Sequence, residues 1–294
     1  MIHYFYNIAD HHICISFEDN TKNGIHLLPS FSPFRIEDTD NEPLLFHLIV
    51  DDSLTPVKEK KLVRKFDTGN GDTVVYLLPD GGYQFIIRDI HNRDCCLLIA
   101  NSDFSSCRCA LNGDWVMRSF GLNDALMLAF AFAGAYQNTL LIHASTILYN
   151  GYGYPFIAES GTGKSTHSSL WLKYIENCEL MNDDNPVVRI MEDGIPYIFG
   201  SPWSGKTPCY RPVSARLGAV TRIERAPQNS IVQLGPVQAF ASLLPACSSM
   251  KWDSAIYNHL CDAVTRIIET TPIFTLYCLP DQEAALLCHK TIIR

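Results

Sequence analysis

The sequence predicts an α/β protein in which a β-rich first third precedes a domain of alternating strands and helices. Three observations lead there. Residues 1 to about 100 hold short β-branched and aromatic runs, "HICISF", "LLFHLIV", "TVVYLL" and "YQFIIRDI", separated by the turn-forming "DNTKNG", "DTGNGD" and "PDGG". From about residue 120, apolar segments of helical length alternate with short strand-like runs. Between one such strand and helix lies a loop with two glycines, "AESGTGKST" at 158–166.

Composition narrows the function classes. With 47% hydrophobic residues in 294, the chain can fill a substantial core. A net charge of -8 argues against a general electrostatic grip on nucleic acid or anionic lipid, so neither is an expected partner. The opening "MIHYFYNIADHHICISFED" lacks the basic leader and apolar run of a signal peptide. The longest apolar stretch, "ALMLAFAFAGAY" at 125–136, falls short of the roughly 20 residues a spanning helix needs. A buried core helix and a cytoplasmic location are therefore expected. Eleven cysteines without a CxxC pair read as reduced thiols. His11 and His12 are neighbours on a strand, so they face opposite sides and do not form one ligand pair.

The elements follow in order. A mainly antiparallel sheet is expected in a first domain, 1–110, suited to partner selection, and the remainder, 111–294, forms the second domain. There Asn123 caps the apolar helix, "TLLIHASTIL" is a strand, "NGYG" a turn and "YPFIA" the strand that enters the loop. The loop opens into a helix, "STHSSLWLKYIE", with Leu170, Trp171 and Tyr174 facing inward. "CELM" is a short strand, "NPVVRIM" and "IPYIF" a hairpin around "EDG", and "ARLGAVTRIER" a further strand. "PVQAFASLLPAC", "DSAIYNHLCDAVTRIIE" and "DQEAALLCHKTI" are helices, with the strand "IFTLYCL" between the last two.

The loop chemistry is that of a phosphate cradle, since converging backbone amides hold a polyphosphate without a counterion. Gly161 and Gly163 permit the curl, Lys164 supplies a mobile positive charge for the β- and γ-phosphates, and Ser165 is placed to reach Mg²⁺. Ser160, Gly161, Thr162, Gly163, Lys164, Ser165 and Thr166 are thus the expected ATP-binding residues, with the Ser160 and Thr166 hydroxyls equally suited to capping the helix. Ala158 stands where the pattern GxxxxGK[ST] begins with glycine. Further on, "LMNDDNPVV" puts Asp183 and Asp184 at a strand end, where two carboxylates can divide metal binding and proton acceptance; a plain turn is the other reading of "NDDNP". The irregular "FGSPWSGKTPCYRP" at 199–212 offers Lys206 and Arg211 as cations for a transferring phosphoryl group, or as solvated loop charges, with Trp203 packing nearby.

"LIHAS", "ESGTGKST" and "MNDD", in this order and spacing, resemble the catalytic core of the HPr kinase/phosphorylase group, itself related to ATP-dependent phosphoenolpyruvate carboxykinases. The resemblance covers about residues 140–210 and implies a P-loop kinase core of that type behind the β-rich N-terminal domain. It implies that His143 lies near the reacting phosphate, that Lys164 and Ser165 serve the nucleotide and Mg²⁺, and that Asp183 acts as base with Asp184 as metal ligand. The implied reaction moves the ATP γ-phosphate to a hydroxyl, serine in a peptide or protein. A nucleotide-binding regulator without chemistry and a small-molecule kinase are the alternatives, and homo-oligomerisation is left open.

Overall fold

The computed structural model describes residues 1–18, 21–39, 42–67, 71–205 and 207–294. Two compact units emerge: Met1–Tyr136 with Met250–Ser254, and Gln137–Ser249 with Ala255–Arg294. The boundary thus falls after residue 136 rather than at the expected 110. The apolar helix belongs to the sheet that precedes it, because that sheet's apolar face needs a cover.

In the first unit, β1 (Ile2–Ile8), β2 (His11–Phe17), β3 (Arg35–Ile36), β4 (Leu44–Val50), β5 (Lys61–Asp67), β6 (Asp72–Leu77), β7 (Tyr83–Arg88), β8 (Asp94–Ala100) and β9 (Ser106–Leu111) form one sheet. Among the described residues its order is β3-β1-β2-β4-β9-β8-β7-β6-β5. Pairing is antiparallel except at β2·β4 and β4·β9. Alternation along β2 sends His11 towards Phe130, with ring centroids 6.1 Å apart, and His12 to the other face beside Asn7.

The cover is α1 (Trp115–Ala135), packed on β8, β4, β9 and β7. It starts well before Asn123: Asp114 is the N-cap, accepting from the Met117 amide at 3.0 Å, and Asn123 sits mid-helix, donating to Ser119 O. Gly121 lets the helix approach β8, since a Cβ there would meet Cys96 Cβ and the Cys95 backbone at 2.8–2.9 Å. By length and composition α1 could cross a membrane, but 61% of its most apolar window is buried, the setting of a core helix. Arg118 points inward from its first turn and is paired with Asp52 at 2.8 Å and Asn23 at 2.7 Å.

The second unit is a mixed sheet covered on both faces. Its strands are β10 (Thr139–Leu141), β11 (Ala144–Tyr149), β12 (Tyr152–Ile157), β13 (Glu179–Asp184), β14 (Val187–Ile190), β15 (Pro196–Phe199), β16 (Ser214–Leu217), β17 (Val220–Arg225), β18 (Ser230–Gln233) and β19 (Ile273–Cys278). The main path runs β10-β14-β15-β16-β12-β17-β19-β18, and β11 pairs with β12 and β13. The helices are α2 (Lys164–Tyr174), α3 (Pro236–Leu243), α4 (Ser254–Thr270) and α5 (Gln282–Ile292). Trp171 of α2 and Ala284, Ala285 and Cys288 of α5 share a buried cluster with Tyr154, Phe156 and Leu276. Leu243 of α3 and Leu260, Val264 and Ile267 of α4 share another with Ile157, Val220 and Ile273. Adjacent residues of β12 and of β19 thus enter different clusters, as a strand buried on both faces requires.

Two expectations change. "TLLIHASTIL" is not one strand: it breaks at His143, because the Ile142 and His143 amides bond to Pro186 O and Ala246 O rather than to a continuous partner. "ARLGAVTRIER" divides into β16 and β17 at Gly218, where a Cβ would strike the Tyr154 ring at 2.6 Å. All eleven cysteines are free.

Candidate functional site

The site grows from the end of β12, held antiparallel to β11 and parallel to β17. After Ile157 the chain leaves the sheet, curls through 158–163 and enters α2 at Lys164. Gly161 and Gly163 carry φ of 77° and 132°, which L side chains adopt only with strain, while a Cβ at either would meet nothing closer than 4.0 Å. Dihedral freedom, not space, demands glycine there. Arg225, at the end of β17, donates to Thr162 O at 3.0 Å and Gly161 O at 2.6 Å. Because C=O and N–H oppose each other across a trans peptide, this turns the amides of Thr162 and Gly163 away from the guanidinium; that of Thr162 donates to Glu159 O at 3.2 Å, closing the turn, and that of Gly163 faces the helix entry. The first turn of α2 adds the amides of Lys164, Ser165 and Thr166, which a helix leaves without internal acceptors. An anion-accepting concavity is the chemical result.

The helix that ends this curl is fixed from beneath. Ser168 Oγ donates to Ser145 Oγ of β11 at 2.7 Å, and Trp171 Nε1 donates to His167 Nε2 at 3.1 Å. His167 is 2% exposed and meets the Phe156 ring edge-on at 4.7 Å. Burial pushes its pKa down to about 4, so the ring is neutral at pH 7 and accepts through Nε2. Between about 6.5 and 4 the unfolded chain binds a proton that the folded chain refuses; stability is full above that window and falls as pH drops through it. We expect a loss of about 2 kcal/mol between pH 7 and pH 5 from this residue. His167→Gln, which retains an acceptor for Trp171, flattens that part of the dependence. Thermal midpoints at the two pH values check it, and an unaltered slope in the variant contradicts it.

Four ionisable side chains meet beside the loop. Lys164 is 9% exposed, with Nζ donating to Ala158 O at 3.3 Å. Burial pulls its pKa down, and the fields of Asp184 and Asp183 oppose that shift. Ser165 Oγ donates to Asp183 Oδ1 at 2.8 Å. Asp183 is 3% exposed, and its second oxygen, Oδ2, is buried without a hydrogen-bond partner among the described residues. A carboxylate oxygen in that state is costly unless a cation completes it. Asp184 holds His143, whose Nε2 lies 3.0 Å from Oδ1; both side chains are partly open to solvent, at 43% for His143 and 37% for Asp184. Asn185 Nδ2 donates to the other Asp184 oxygen at 2.8 Å.

Position comes from register and from strain. Ser145 and Ala144 of β11 face Asp183 and Asp184 of β13. Asp184 has φ 141°, a conformation costing roughly 1–3 kcal/mol for a non-glycine residue. It interrupts strand alternation, so consecutive carboxylates both act on Lys164. The segment after β15 clamps this end: Ser204 bridges Asp184, Gly205 N donates to Asp183 O, and Asn182 Nδ2 donates to Trp203 O at 3.1 Å and Ser201 Oγ at 3.2 Å. A Cβ on Gly205 would lie 3.0 Å from Asp183 O and 3.1 Å from Asp184 Cβ. Trp203, 6% exposed, is a packing residue of this clamp.

The structure therefore brings together Gly161, Thr162, Gly163, Lys164, Ser165, Asp183, Asp184 and His143. Ser160 and Thr166 lie exposed on the loop and first helical turn. Arg211 is not brought there: its guanidinium donates to Leu180 O at 2.7 Å and to Glu179 at 2.6 Å, at the opposite end of β13. Leu180 lies four residues from Asp184, about 13 Å along a strand. Lys206 lies outside the described residues. Sequence reasoning missed Arg225, whose only local signal is an arginine closing a strand, and the Ser145–Ser168 pair, which carries none.

Comparison with known proteins adds little. No protein-family model matches the chain, and no curated protein does. Among solved structures, the Hpr(Ser) kinase/phosphatase from Coxiella burnetii aligns at 12% identity and a TM-score of 0.29, covering 51% of this chain and 91% of that one. A likeness that slight assigns neither fold nor activity.

Proposed function

We propose that the protein binds ATP with Mg²⁺ and transfers the γ-phosphate to a hydroxyl, that of a serine in a peptide or protein. The observation carrying this reading is the Ser165–Asp183 hydrogen bond beside Lys164, with Asp183 Oδ2 left unpartnered among the described residues. An alcohol oxygen and a buried carboxylate, joined at the first turn of a helix whose amides accept an anion, are hard donors suited to Mg²⁺. Bound there, Mg²⁺ supplies charge neutralisation on the β- and γ-phosphates. Ser165 and Asp183 are the residues that would hold it; Lys164 and the amides of 163–166 hold and orient the phosphates.

The geometry favours dividing the carboxylates differently from the sequence-based expectation, which gave Asp183 the proton and Asp184 the metal. Asp183 is enclosed and already joined to the loop serine. Asp184 is open to solvent, where an incoming hydroxyl can reach it, and His143 and Asn185 fix its orientation. In the transfer, the acceptor oxygen forms the new bond to the γ-phosphorus, the bond from that phosphorus to the β-bridging oxygen breaks, and ADP leaves. The hydroxyl proton passes to Asp184.

The test is incubation of the full chain with γ-labelled ATP, Mg²⁺ and a peptide library, followed by mass spectrometry. Parent protein should label hydroxyl side chains, and Asp184→Asn should lose about 10²–10⁴-fold in transfer, the usual contribution of a proton acceptor, while binding ATP as before. Nucleotide binding without acceptor-dependent ADP release would leave a nucleotide sensor in place of a kinase.

A further inference from the structure

The phosphate site leaves unused a second group of ligand-type side chains, in the first unit. His3 of β1 faces Ser16 of β2 across an antiparallel pair, and Cys14 of β2 faces His47 of β4 across a parallel one. The two-residue period puts Cys14 and Ser16 on the face of β2 opposite Ile13, Ile15 and Phe17, which are 0–2% exposed in the core. His3 Nδ1 lies 2.6 Å and His47 Nε2 2.7 Å from Ser16 Oγ, and Cys14 Sγ lies 3.7 Å from it. One ligand atom from each of His3, Cys14 and His47 falls within 4.8 Å of the others. Three side chains from three neighbouring strands thus converge on one point, with Cys14 and Ser16 buried and His3 open to solvent.

We propose that His3, Cys14 and His47 form a binding site for a divalent transition-metal ion, Zn²⁺ by donor chemistry. Two imidazole nitrogens and a thiolate are borderline-to-soft ligands that discriminate against Mg²⁺ and Ca²⁺. The site is therefore chemically distinct from the hard-oxygen pair Ser165 and Asp183. With Zn–N near 2.0–2.1 Å and Zn–S near 2.3 Å, tetrahedral ligands sit roughly 3.3–3.6 Å apart, so binding requires only an inward turn of side chains already converging. The exposed His3 is the side chain free to make it. On binding, the Cys14 thiol loses its proton to water, the sulfur–metal bond forms, and the Ser16 hydroxyl gives up its shared contact with the imidazoles. The fourth position remains for water on the His3 side. Such an ion ties β1 to β2 and β4, where among the described residues β1 has the two-residue β3 as its outer neighbour in the sheet.

The experiment is a Co²⁺ titration of the chelator-treated full chain, without an affinity tag, followed by displacement with Zn²⁺. A saturable one-to-one complex with thiolate-to-cobalt charge-transfer absorption and the intense visible bands of tetrahedral Co²⁺ is expected. Cys14→Ser should remove the charge-transfer absorption, and His47→Ala should weaken binding by at least about 10-fold, in line with the loss of metal affinity that even an outer partner of a site can cause. Should His47→Ala fail to fold, His3→Ala at the exposed position gives the same reading. Charge transfer that persists in Cys14→Ser would mean that cobalt sits on other thiols. Only the weak pink spectrum of hydrated Co²⁺ in the parent would mean that no site exists. Either result overturns the proposal.

Discussion

Replacing Asp183 with Asn is expected to reduce phosphate transfer by at least about a hundredfold at saturating ATP and Mg²⁺, with little change in the thermal midpoint of the ligand-free protein. The two halves of that expectation have one cause. Asp183 sits 3% exposed with one oxygen on Ser165 and the other without a partner among the described residues. In the ligand-free fold its charge is therefore poorly used, and an amide of the same shape still accepts from Ser165. With Mg²⁺ present, the amide offers a neutral oxygen where the carboxylate offered a charged one, and the hard cation loses its protein counter-charge. A core residue held only for packing would behave the other way, costing stability before activity. The measurement is a pair: label transferred per minute, and the midpoint without nucleotide. Transfer within about threefold of the parent would remove Asp183 from the metal site.

How far the sequence revealed this site depends on whether each feature has a local cause. Gly161, Gly163, Lys164 and Ser165 are legible because loop curvature and helix entry are set within a few residues, and the strand before them and the helix after them form as expected. That Asp183 and Asp184 come near the loop was equally readable from their place at a strand end. Which carboxylate meets Ser165 was not, because that rests on the register of β13 against β11 and on the positive φ of Asp184. His143 looked like the middle of a strand; its freedom to reach Asp184 depends on bonds from its neighbourhood to Pro186 and Ala246, distant in sequence. Arg211 looked like a cation available for phosphate, but Glu179 at the other end of the strand claims it. The role of Arg225 was invisible because β17 lies beside β12 only in the folded sheet. The same logic explains the misplaced boundary: a change from strands to helix in the chain does not reveal that the helix packs back on those strands.

Lys164→Met should abolish the rise in thermal midpoint that MgATP gives the parent and weaken ATP binding by about 2–5 kcal/mol, roughly 30- to several-thousand-fold. The size follows from what the side chain leaves behind. Lys164 is drawn below its ordinary pKa by burial and sustained by Asp183 and Asp184, so its removal both deletes the cation facing the phosphates and unmasks two carboxylates that repel them. In the ligand-free protein the cost is smaller. Among the described residues no ion pair joins Lys164 directly to either aspartate, so the loss stays below the roughly 3–5 kcal/mol of a broken buried contact pair. At about 1 kcal/mol it would shift the midpoint by roughly 2–4 °C. The double variant Lys164→Met/Asp183→Asn separates the two effects, since it removes a cation together with a carboxylate that the cation had sustained. Its ligand-free midpoint should recover part of the single-variant loss, giving a coupling of about 0.5 kcal/mol or more between neighbouring charges. Nucleotide binding should not recover, because neither the phosphate's cation nor the metal's carboxylate has been restored. Strictly additive midpoints would show that the lysine and the aspartate do not sense each other in the fold, and the electrostatic account of this site would fail with them.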